Sequence, residues 1–114
     1  MATEARDPDA SRVRVPTRAR RGEPVQIRTL LKHPMESGFR YDAVGKPIPR
    51  HIVVDFLCTY NGEEVLRVKL FPAVSANPYF TFFATAVDSG EFVFIWRDDR
   101  GNEWSDRAPI EVVD

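Results

Sequence analysis

Cys58, His33, His51, Met35 and the pair Asp98-Asp99 are the residues whose chemistry could make this chain more than a scaffold. A mononuclear copper site of the electron-transfer kind wants a cysteine followed closely by histidine and then methionine. Here both histidines and both methionines precede Cys58, and no soft ligand follows it. His33-x-Met35 remains as a chaperone-like holder of copper(I), and this copper-binding β-sandwich is the alternative reading. Nucleophilic catalysis finds no support. There is no Gly-x-Ser-x-Gly, no phosphate loop, and no histidine after Cys58 to serve as its base. Asp98 and Asp99 are adjacent on an extended or turning chain and point apart, so they read as an acidic turn. Cys58 falls in phase with Ile52, Val54 and Phe56 and is expected in the core. The expectation is a protein that is not an enzyme, with no catalytic residue, metal or cofactor.

The elements that would position these residues are short strands. Val13 and Val15 alternate with Arg12 and Arg14, and Pro16 ends the run as it would an edge strand. Val25, Ile27, Thr29 and Leu31 alternate next, and an irregular connection from Lys32 to Arg50 follows. Ile52–Tyr60 is closed by Asn61-Gly62, the turn pair that suits a type I′ hairpin because both residues tolerate positive φ. Strands are then expected over Glu63–Leu70, Tyr79–Val87, Glu91–Arg97 and Glu103–Val113. Seven strands at intervals near ten residues, without a helical stripe, predict an all-β, immunoglobulin-like sandwich over residues 12–114, behind a polar tail at 1–11.

The totals agree with one small domain. At 114 residues a fold buries roughly two-thirds of its unfolded surface and needs no staple. Sixteen basic against 17 acidic residues give a net charge of −1, which offers no pull toward nucleic acid or membrane. Arg12, Arg14, Arg18, Arg20 and Arg21 cluster early and read as a solvated edge strand and turn. The first 22 residues lack the apolar run of a signal peptide, and no segment reaches the length of a membrane span.

Apolar residues exceed what one core can hold. Phe80, Phe82, Ala84 and Ala86 share one strand face, with Tyr79, Phe83 and Val87 opposite. Phe92, Phe94 and Trp96 leave Val93 and Ile95 on the second face, and Ile52–Tyr60 adds Val53 and Leu57. Either the long connection or another protein must cover this surplus.

The blocks His33-Pro34-Met35-Glu36-Ser37-Gly38, Gly45 through Arg50, Cys58-Thr59-Tyr60-Asn61-Gly62, Pro72-Ala73-Val74-Ser75-Ala76-Asn77-Pro78-Tyr79 and Trp96 through Gly101 resemble, in order, the SoxZ family. That family supplies the Z subunit of the bacterial thiosulfate-oxidising carrier complex. Phe39 and Tyr41 depart from it, standing where polar residues are common. The resemblance implies a non-catalytic subunit paired with SoxY, whose C-terminal arm cysteine carries the sulfur. Other Sox enzymes would visit the complex, and the isolated subunit could self-associate. It also implies periplasmic location through co-export with the signal-bearing partner. The residues expected at the partner interface are Val53, Leu57, Phe83, Val93 and Ile95. To these are added the irregular pieces His33, Pro34, Met35, Glu36, Ser37 and Gly38, and Ser75, Ala76, Asn77, Pro78 and Tyr79.

Overall fold

Alternating apolar and polar residues, cut at short intervals by Gly, Pro and Asn, build two facing sheets in the computed structural model, which describes residues 10–114. Eight strands follow in chain order: β1 (Ser11–Arg14), β2 (Arg18–Arg20), β3 (Pro24–Leu31), β4 (Val53–Tyr60), β5 (Glu63–Lys69), β6 (Tyr79–Thr85), β7 (Gly90–Asp98) and β8 (Glu103–Val113). One sheet has the order β1-β3-β6 and the other β2-β8-β7-β4-β5. This is an all-β, immunoglobulin-like sandwich, as the pattern predicts.

The inward residues of both sheets meet in an aromatic core. Phe56, Phe92, Phe94 and Trp96 are fully buried. The Phe56 ring centroid lies 5.0 Å from that of Phe80 across the sandwich and 5.2 Å from that of Trp96 beside it. Asn61 and Gly62 both have positive φ, at 49° and 84°, as the β4–β5 hairpin requires. The Asn61 amide also accepts a hydrogen bond from Glu91 N at 2.9 Å. It sits so close to Gly90 that a Cβ there would lie 1.7 Å from Asn61 Oδ1.

Three sequence expectations change. An eighth strand exists, because β2 pairs parallel with β8; three residues are too few to show a period. Of the expected tail, residues 1–9 lie outside the described residues, whereas Ala10 is buried and Ser11 begins β1. Val53 is fully buried and belongs to the core. A register irregularity between Val53 and Asp55, where β4 pairs β7, turns Val53 inward and leaves Val54 half-buried.

The rest of the second-face set is placed as the alternation predicts. Leu57, Val93 and Ile95 lie half-buried on the outer wall of the five-stranded sheet. Ion pairs Lys69–Asp55, Arg97–Glu103 and Arg107–Glu91 flank them, so charged side chains with long apolar stems border this stripe. Phe83 is 63% exposed, and Tyr79 and Val87 are exposed as well.

Candidate metal centre

His33 lies two residues after β3, His51 two residues before β4, and Asp98 is the last residue of β7. The Lys32–Arg50 connection thus begins and ends at one place. Glu36 and His51 form an isolated antiparallel bridge, with Glu36 N–H donating to His51 O at 2.7 Å and His51 N–H to Glu36 O at 2.8 Å. Asp99 N–H donates to Ile52 O at 2.9 Å, which brings the β7–β8 turn under the same segment.

The cluster's hydrogen bonds decide its protonation. The buried Asp98 carboxylate accepts at Oδ1 from Arg100 N (3.0 Å) and Asn102 N (2.8 Å), and at Oδ2 from Asn102 Nδ2 (2.9 Å). Burial opposes its ionisation. The hydrogen bonds from Asn102, His51 and the Arg100 backbone outweigh that penalty and hold the carboxyl below its usual range. An ionised carboxylate only accepts, so His51 Nε2 is the donor in its 2.7 Å contact with Asp98 Oδ2.

His33 is almost wholly buried, its ring 4.5 Å from His51 and edge-on to Trp104 at 5.7 Å between centroids. Its Nδ1 accepts Met35 N–H at 3.0 Å, which leaves the proton of the neutral ring on Nε2. Among the described residues that Nε2 has no hydrogen-bond partner within normal range, and it lies 3.6 Å from Asp98 Oδ2. Burial, then the neighbouring His51, keep His33 below the ordinary histidine range, against the opposite pull of Asp98.

Two imidazoles and a carboxylate form a donor set suited to first-row divalent metals. One ligand atom from each of His33, His51 and Asp98 lies within 4.8 Å of the others. The orphaned His33 Nε2 fits such a group, since a buried polar nitrogen without a partner is costly. The expectation of no metal overlooks this cluster, and the alternative of a metal-binding sandwich is the better supported, with His33 in the cluster and Met35 outside it. Met35 is buried, and its Sδ accepts Val53 N–H at 3.2 Å. Asp98 escaped notice because it is 47 residues from His51 and was read only as part of a turn. The sequence signal was a pair of histidines bracketing one connection.

The remaining candidates separate. Pro34 is exposed and Glu36, Ser37 and Gly38 half-buried, with Glu36 paired to Arg40. Asn77, at φ 55°, locks the two irregular pieces together: His33 N–H donates to Asn77 Oδ1 at 2.9 Å and Asn77 N–H to His33 O at 2.8 Å. Ser75, Ala76 and Tyr79 are exposed, and Pro78 is buried. Cys58 is in the core, its thiol pushed up to about 12 by burial, which makes it inert at neutral pH.

A family described as "Sulphur oxidation protein SoxZ" matches residues 13–109. No curated protein matches. Among solved structures, a superoxide reductase (neelaredoxin) from Ignicoccus hospitalis aligns at TM-score 0.66 and 20% identity, covering 91% of this chain and 80% of its own. A superoxide reductase from Thermotoga maritima aligns at 0.69 and 17%, covering 91% and 86%. The sulfur carrier protein SoxY from Chlorobium limicola aligns at 0.65 and 12%, covering 93% and 81%. Identities this low establish a shared fold.

These findings correct what the resemblance implied. The expected non-catalytic subunit, without chemistry of its own, is contradicted by the buried His–His–Asp cluster, in a fold shared with the superoxide reductases. The SoxY likeness is a fold relative at 12% identity and gives no ground for a heterodimer. The expected SoxY companion and its visiting enzymes are therefore withdrawn, as is the view of the protein as inert.

Proposed function

The chain belongs to the SoxZ family of sulphur oxidation proteins, and on that premise we propose that it is a metal-binding β-sandwich whose centre is His33, His51 and Asp98. The observation that carries this reading is the convergence of ligand atoms from His33, His51 and Asp98 to within 4.8 Å, with the buried His33 Nε2 3.6 Å from a carboxylate already held ionised. Imidazole and carboxylate favour iron(II), zinc or cobalt(II) over copper(I), which prefers thiolate and thioether. A bound metal would supply Lewis-acid or redox chemistry.

The chain's own groups set the terms of binding. His51 is the accessible ligand, with 22% of its side chain exposed, whereas His33 and Asp98 lie behind it. Asn102 and the Arg100 and Asn102 backbone fix the carboxylate, the kind of outer support that ligands in metal sites have. With a metal held at His33 Nε2, the ring proton would be left on Nδ1, and Met35 N–H would then lose its acceptor. Metal binding and the His33–Met35 turn are coupled.

Titration with cobalt(II), followed by its visible absorption, tests the reading. One equivalent should bind, the Met35 amide resonance should shift, and His33→Ala or Asp98→Asn should weaken binding at least about tenfold. Absence of cobalt absorption at millimolar metal overturns it. A second reading is favoured by the Met35 N–H bond to His33 Nδ1: the cluster is a hydrogen-bonded knot that ties the long connection to the β7–β8 turn. It predicts that the same variants lower the melting temperature while wild type takes up no metal.

A further inference from the structure

The outer wall of the three-stranded sheet is basic. β1, β3 and β6 together contain three arginines and no acidic residue. Arg14 stands directly opposite Arg28, an arrangement that costs stability unless something neutralises it. Among the described residues no acid pairs with Arg12, Arg14 or Arg28, and Arg28 reaches only Gln26 Oε1 at 3.2 Å. On the five-stranded sheet, Arg97, Arg107 and Lys69 are instead matched to Glu103, Glu91 and Asp55, although Arg18 and Arg20 at its β2 edge have no acidic partner among the described residues.

Among the described residues β1 is also an edge strand, bonded to β3 on one side only. Along it lies an open cleft of about 850 Å³ that holds Arg12, Arg14 and Arg28, with Asp106–Pro109 of β8 as the far wall. The one carboxylate there, Asp106, is engaged by Ser11 Oγ at 3.0 Å and by Arg107 N–H at 2.8 Å.

We propose that this edge receives an extended, acidic segment of a partner protein, added as a strand to β1. Unpaired main-chain groups of β1 supply hydrogen bonds, and acidic side chains at alternate positions of the incoming strand meet the arginine row. Arginine on the edge also discourages pairing with a second copy of this strand, because like charges would face each other. An extended polypeptide fits better than a small anion, since the cleft runs the length of β1 and past Pro16.

The test uses the full chain and a ten-residue peptide of alternating Glu and Val. Binding should weaken with added salt, slow the exchange of β1 amides, and fall roughly tenfold or more in Arg14→Gln/Arg28→Gln. The double variant Arg18→Gln/Arg20→Gln, on β2, should bind as wild type does. These neutral replacements remove charge from exposed positions, and a cooperative melting curve with a midpoint no lower than that of wild type confirms that the fold is kept. Equal binding by the Arg14/Arg28 variant overturns the proposal. So does equal or tighter binding of sulfate, a single-stranded oligonucleotide or anionic lipid vesicles at matched charge, or binding without protection of β1 amides. The outcome is independent of whether His33, His51 and Asp98 take up metal.

Discussion

Burial acts in opposite ways on His33 and Asp98: it keeps the imidazole neutral, whereas the carboxylate is held ionised against it by four donors. Both perturbations have the same consequence for pH. His33 is lowered in the fold from its ordinary 6.5, so between the two values the unfolded chain holds more protons and stability rises with pH. Its contribution is full above about 6.5 and is lost as pH falls below it. Asp98, also lowered, contributes above the ordinary carboxylate range and loses that contribution as pH falls through its native value. The metal-free protein should therefore have a flat melting temperature above neutrality and a falling one below about pH 6.5. His33→Gln should flatten the upper part of that fall. A wild-type melting temperature that rises on acidification contradicts this assignment of charges.

At the scale of elements, the strands are built where alternation is clean and turn chemistry unambiguous. Asn61-Gly62 was legible because only positive φ at both positions closes so short a hairpin, and both residues show it. The inward set Phe56, Cys58, Phe92, Phe94 and Trp96 was legible for the same reason, since period 2 needs only local residues. Val53 was misplaced because one extra residue reverses which way a strand's side chains point, and nothing in Val53-Val54 marks that irregularity. The candidate centre was illegible because its three members come from a strand end, a bridge and another strand end. Their meeting depends on the Glu36–His51 bridge and the Asp99–Ile52 hydrogen bond, which no period records. The β4–β5 and β6–β7 turns are interlocked through Asn61 and Gly90. Gly90→Ala would drive a methyl into the Asn61 amide. We expect it to destabilise the fold by about 1–3 kcal/mol, read by urea unfolding. Asn61→Gly in the same background should restore part of the loss, whereas no loss in Gly90→Ala contradicts the contact.

For the whole molecule, the sandwich divides its work between opposite features. The Phe56–Trp96 core and the cross-strand ion pairs on the five-stranded wall make a rigid frame. The Lys32–Arg50 connection is pinned at its base by the His33–Asn77 and Glu36–His51 hydrogen bonds, and it leaves Phe39, Tyr41 and Val44 in solvent. The centre proposed above, His33, His51 and Asp98, lies at the base of this connection. The most direct measurement is an anomalous difference map from a crystal of the protein soaked in zinc, collected at the zinc edge. The account predicts one strong peak bounded by His33 Nε2, His51 Nε2 and Asp98 Oδ2, absent from Asp98→Asn. No peak there in wild type, with His33 Nδ1 still accepting Met35 N–H, would contradict it.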